Sequence, residues 1–156
     1  MKRDQNLYPL SHQHHNGLMA VLLLEKGVTK NADLKIMNDF ILDCWESELE
    51  NHFIAEEKNL DPSLLQLPQL NDLYDRMISE HELIRNIIDA IKQKQESKEL
   101  IVSFHTLLEN HIRFEERTLF PFIQEHATEA SLSLLGKQIS HLTNGNCSNY
   151  LVKFWE

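Results

Sequence analysis

The chain has 156 residues, enough for one domain with a substantial core, and it contains only 4 Gly and 4 Pro. So few turn-forming residues argue against a β-rich fold. The net charge of -9 argues against a nucleic-acid partner, because binding to phosphates requires a basic surface.

The most apolar stretch of the chain, residues 18–24, is too short to cross a bilayer, so we expect no membrane partner. The first residues contain no apolar stretch of the kind found in signal peptides. The two cysteines, Cys44 and Cys147, form neither a CxxC motif nor a disulfide framework, which suits a reducing compartment. We therefore expect a cytoplasmic protein with Cys44 as a small core residue.

Helical periodicity and capping residues predict four long helices and a shorter fifth one. Their expected ranges are about 10–26, 32–59, 70–95, 97–125 and 128–142. Short connections between long helices predict an all-α fold, an antiparallel up-and-down four-helix bundle with a shorter C-terminal helix. We expect one domain over residues 1–156, with its bundle core at about 10–126, and an aromatic C-terminal tail that covers one end.

Two segments of the chain resemble each other, HFIAEEKNLDP at 52–62 and HIRFEERTLFP at 111–121. Each carries a His and a Glu four residues later, His52 with Glu56 and His111 with Glu115. On a helix this spacing is about one turn, so both side chains of a pair leave the same face. Imidazole and carboxylate together are suitable ligands for a transition metal. The repeat therefore indicates an internal duplication that retains two pairs of metal ligands.

The first and third helices each offer one inward histidine, His15 and His81. We prefer His15 to its neighbour His14, which remains the alternative, because apolar residues follow His15 at the helical positions 18, 19 and 22. A single inward histidine is more often a hydrogen-bonded core residue than a ligand. Two inward glutamates are harder to explain without a cation, because burying an unpaired carboxylate is costly.

Four imidazoles and two carboxylates suit iron better than structural zinc, which usually has four ligands including thiolates. If two cations shared both carboxylates, each cation would also have two imidazoles. We expect Glu57 and Glu116 to face solvent or to be outer partners of the site, near Lys58 and Arg117. We leave His105 outside the site, because its pair with Glu109 has no counterpart in the other half of the chain.

The motifs SHQHHNGL, HFIAEE, SEHELIR and HIRFEERTLFP together resemble the hemerythrin-like family of HHE cation-binding domains, over about residues 10–125. The resemblance implies a non-haem centre of two irons inside a four-helix bundle, bridged by two carboxylates and an oxo or hydroxo group. It implies Glu56 and Glu115 as the bridges. The ligand set carried over from the family is His15, His52, Glu56, His81, His111 and Glu115.

The chain departs from the oxygen-carrying members in two ways. Met77 stands where they have a further histidine, and Glu115 follows His111 by four residues where they have an Asp after five. The resemblance thus implies a protein that binds or senses O2, NO or iron. The alternatives are a di-iron enzyme or repair protein, which reduces peroxide or NO or donates iron, and a helical interaction protein with a structural site.

Overall fold

The computed structural model describes residues 1–142 and 150–156 and contains no strand among them. Two of the long helices each consist of two α-helical segments joined by a π-helical turn, one at Trp45–Leu49 and the other at Glu115–Leu119. The fold is therefore all-α with four long helices and a further short one, which confirms the predicted fold class. The α-helices are α1 (Tyr8–Thr29), α2 (Leu34–Cys44), α3 (Glu50–Asn59), α4 (Asn71–Lys92), α5 (Lys98–Phe114), α6 (Phe120–His126) and α7 (Glu129–Ile139).

Side-chain caps fix where three of these helices begin. The Asp33 carboxylate accepts a hydrogen bond from the Ile36 amide before α2, and the Ser97 hydroxyl accepts one from the Leu100 amide before α5. Thr128 caps α7 in the same way. Each cap accepts a hydrogen bond from an amide that has no partner within its own helix, which is why these helices begin directly after a short polar residue.

The interior contains two apolar clusters with a polar layer between them. The first cluster includes Phe104 and Ile84, and the second includes Leu119 and Met77. On α4, His81 lies one turn from Met77 on one side and one turn from Ile84 on the other. The apolar periodicity of the helices thus places the buried polar residues midway along the bundle, away from both ends.

The register predicted for the first helix is wrong by one residue. His14 is buried at 3 % exposure, whereas His15 and Leu22 are exposed. The reason is close packing of α1 on α5: a Cβ at Gly17 would lie 2.7 Å from Cδ1 of Ile112. Gly17 occupies this contact, so the face of α1 that carries Gly17 and Leu24 is buried and Leu22 stays outside.

The two π-helical turns also shift register. Beyond the turn at Glu115–Leu119 the buried residues of α6 are Phe120 and Ile123, whereas Phe122, which the α-helical period predicts to face inward, is only partly buried. A π turn contains one more residue than an α turn, so every later side chain rotates by about one position. In the described residues such turns occur in the two long helices that carry the His–Glu pairs.

The aromatic tail packs against the first cluster, as predicted. Tyr150, Phe154 and Trp155 surround Phe40, with ring centroids 5.4, 5.0 and 6.1 Å away.

Among the described residues, no helix combines the length and the apolar composition that a membrane span requires.

Cys44 is buried, as expected, but it is also disulfide-bonded, which the sequence analysis did not predict. The second cysteine of the chain, Cys147, lies outside the described residues. Disulfide bonds are rare in reducing compartments, so the cysteines no longer support the cytoplasmic expectation.

Candidate metal centre

Six buried polar side chains from all four long helices meet in the layer between the apolar clusters. They form two overlapping groups, and in each group the potential ligand atoms lie within 4.8 Å of one another. The first group consists of His14, His52, Glu56 and Glu115, and the second of Glu56, His81, His111 and Glu115. Both glutamates belong to both groups, and each is fully buried.

Glu56 connects the two groups through its two oxygens. Its Oε1 atom lies 2.6 Å from Nε2 of His52 and 3.3 Å from Nε2 of His14. Its Oε2 atom lies 3.2 Å from Nε2 of His81, which belongs to the other group. One carboxylate therefore presents an oxygen to each group, which is the arrangement that a bridging ligand requires.

Glu115 does the same from the opposite helix. Its Oε2 atom lies 2.8 Å from Nε2 of His14, and its Oε1 atom lies 2.9 Å from Nε2 of His111. Because His111 and Glu115 are four residues apart, they share one helical face, and that face brings both the imidazole and the carboxylate to the centre. The π turn begins at Glu115, and such turns are frequent at functional sites.

The central atoms lack hydrogen-bond partners among the described residues. Both oxygens of Glu56 and Glu115, and Nε2 of His14 and His52, are buried without one, although they are close to each other. Nε2 of His81 lies only 3.0 Å from Nε2 of His111. Two imidazole lone pairs at that distance repel each other unless a proton or a cation lies between them. Buried orphan groups of this kind are costly, and the donor set fits one or more metal cations.

The outer nitrogen of each central histidine has its own acceptor. Nδ1 of His14 lies 2.7 Å from Glu116, and Nδ1 of His81 lies 2.7 Å from Glu57. Because a carboxylate oxygen only accepts, Nδ1 carries the proton and leaves the Nε2 lone pair facing the centre. The other two contacts have the same form: His52 with Gln13 at 2.7 Å and His111 with Glu80 at 2.8 Å.

Aromatic rings restrict the orientation of the imidazoles. The ring of Phe53 stacks on His81 with centroids 3.9 Å apart and planes at 6°. The ring of Phe120 lies 5.3 Å from that of His14, with planes at 13°. These contacts exclude water from one face of each ligand ring and fix its plane, which suits a preorganised site.

The electrostatics of the metal-free centre show how strongly it attracts positive charge. Burial alone would raise the pKa of Glu56, but His52 and His14 lower that pKa to about 2. Burial likewise opposes protonation of His81, yet Glu115, Glu56 and Glu57 raise its pKa to about 10. His81 therefore also holds a proton when no cation is present, and a cation that binds to it must displace that proton.

Of the six side chains predicted as ligands, the structure brings His52, Glu56, His81, His111 and Glu115 together. It places the exposed His15 outside both groups, and the alternative His14 occupies the position on α1. The predicted ligand His15 is therefore corrected to His14, because the register of α1 places His14 inside the bundle.

Sequence reasoning missed the outer acceptors Gln13 and Glu80. Glu57 and Glu116 are outer partners of the site, which was one of the two expectations, and they pair with Arg85 and Arg3. The motifs show Glu57 and Glu116 beside the ligands, but the contacts of these outer residues join different helices and do not follow from spacing along one helix. His105 lies outside both groups, as predicted, with Nδ1 3.9 Å from Glu25.

Comparison with known protein families gives a match. A family model described as the hemerythrin HHE cation binding domain matches residues 6–123 of the chain. No curated protein and no solved structure matches it.

Proposed function

Because the chain belongs to the hemerythrin HHE cation-binding domain family, we propose that it is a non-haem di-iron protein that binds or senses O2, NO or iron itself. The observation that carries this proposal is the sharing of Glu56 and Glu115 by two groups of buried ligands. One cation in each group would have two imidazoles and an oxygen from each of two bridging carboxylates.

The choice of iron rests on the donor atoms. The two groups contain nitrogen and carboxylate oxygen and no thiolate, which disfavours structural zinc. Two dications would balance the two buried carboxylates and leave the centre with positive charge. Such a charge suits a small anionic or diatomic ligand.

The protein residues have separate tasks in this function. His14, His52, His81 and His111 would hold the cations through their Nε2 atoms, and Glu56 and Glu115 would each offer one oxygen to either group. The stacked Phe53 and Phe120 keep water from the imidazole faces. When bound, iron would supply coordination positions and a change of redox state.

Metal analysis of protein purified without oxygen tests the proposal. We expect about two irons per chain, and a new near-ultraviolet absorption band after exposure to air or NO. One zinc per chain, or no metal after anaerobic iron loading, would overturn it. Steady consumption of peroxide or NO by the loaded protein would instead support the enzyme alternative.

A further inference from the structure

Three of the four central histidines are supported by a carboxylate that itself pairs with an arginine. Glu57 accepts from His81 and pairs with Arg85 at 2.7 Å. Glu116 accepts from His14 and pairs with Arg3 at 2.8 Å. The third relay runs from His111 to Glu80 and on to Arg76, at 2.8 and 2.9 Å.

His52 is supported differently, because its Nδ1 donates to the amide oxygen of Gln13. Gln13 is 3 % exposed and His52 is 2 % exposed, so this hydrogen bond is shielded from solvent. A carboxylate acceptor draws the Nδ1 proton more strongly than a neutral amide does. It therefore makes Nε2 of its histidine a more basic and stronger ligand.

The difference divides the two groups unequally. Both histidines of the second group, His81 and His111, have carboxylate acceptors. In the first group only His14 has one, and His52 has Gln13. The bridging carboxylates are common to both groups, so they do not offset the inequality.

We propose that Gln13 makes the position between His14 and His52 the weaker of the two cation positions, the one that fills second and exchanges first. The inference rests on the two-cation function proposed above. Gln13 acts here as a positioning residue, through the hydrogen bond to His52. Iron entering or leaving the protein would therefore do so at the His14/His52 position.

The structure also allows the key substitution. Gln13 lines a cavity of about 370 Å³ together with Asn51, Ala55 and Lys58. A carboxylate introduced by Gln13→Glu has the same length as the amide, and the side chains of both Lys58 and Glu48 line the same cavity.

The test is calorimetric titration of the metal-free protein with Zn2+, which is redox-inert and reports both positions. We expect two separate binding steps in the wild type. Gln13→Glu should tighten the weaker step by about tenfold and leave the stronger one in place, and Gln13→Met should weaken the weaker step by about 10–100-fold. As the matched control, Glu57→Gln should weaken the stronger step instead.

Two equal steps in the wild type would overturn this inference while leaving the two-cation proposal intact. A shift of the stronger step in either Gln13 variant would overturn it as well. Uptake of a single cation by the wild type would overturn the proposed function, and the inference with it. Circular dichroism of each metal-free variant separates these results from a failure to fold.

Discussion

Nε2 of His14 lies 2.8 Å from Oε2 of Glu115, and this contact joins the first long helix to the last. The neighbouring His15 is exposed and contributes to neither ligand group. The first helix therefore completes the centre through one particular histidine of an adjacent pair.

Replacement of His14 by Ala should lower the metal content of the protein from about two cations to one, because the first group would keep a single imidazole. His15→Ala is the matched control and should keep the wild-type content. Elemental analysis of both proteins after identical loading measures the difference. Loss of metal in His15→Ala but not in His14→Ala would show that the register of α1 is wrong.

Glu56→Gln should remove both cations, because Glu56 contributes an oxygen to each group. The loaded wild type should melt on the order of 10 °C above its metal-free form, since tight ligands stabilise the folded state by several kcal/mol. Glu56→Gln should lose that difference. Glu50→Gln, an exposed substitution at the start of the same helix, is the control. If Glu56→Gln retained one tightly bound cation, the carboxylate would not be a bridge.

His111→Ala should likewise lose metal and lower the stability of the loaded protein, because the loss removes a ligand at the buried centre. His105→Ala should leave metal content unchanged, since His105 lies in neither group. Parallel measurements of metal content and melting temperature compare the two. An empty site in His105→Ala beside a filled one in His111→Ala would refute the ligand assignment on α5.

The stability of the metal-free protein should be greatest between about pH 4.5 and 6.5. The raised pKa of His81 stabilises the folded state fully below its unfolded value of 6.5, and that contribution is lost as the pH rises towards about 10. The lowered pKa of Glu56 stabilises the fold above 4.5, and that contribution is lost as the pH falls towards about 2. Chemical denaturation of metal-free protein across this range measures the profile.

The stabilisation that metal provides should increase with pH, because cations must displace protons from the imidazoles. The difference in melting temperature between loaded and metal-free protein should therefore grow from pH 5 to pH 8, and acid should release the metal. A difference independent of pH would count against histidine ligands.

Met77→His should tighten iron binding, because Met77 is fully buried one turn before His81 on the same helix. In the metal-free protein the new imidazole would lie beside apolar residues of the second cluster, which should cost about 1–3 kcal/mol. Loading should recover most of that loss if the imidazole binds iron. The rate of iron transfer to a chelator and the unfolding free energy with and without metal measure both effects. Met77→Leu is the volume-matched control, and equal rates in the two variants would mean that Met77 only fills space.

Local sequence patterns were sufficient to predict the helices, their order and five of the six central side chains. Local patterns carry this information: the i,i+4 pairs at His52 and His111, the apolar period around His81, and caps such as Ser97 depend on residues close in the chain. The repeat of HxxxEE then identified the chemistry, because two inward carboxylates need a positive partner.

The remaining features of the centre depend on contacts between helices. The choice of His14 over His15 follows from the close approach of Gly17 to Ile112, which no pattern within α1 reveals. The outer acceptors Gln13 and Glu80 reach histidines on other helices, so their roles appear only when the bundle is assembled. Side-chain spacing along one helix fixes which residues share a face, but only the packing of neighbouring helices decides which face is buried.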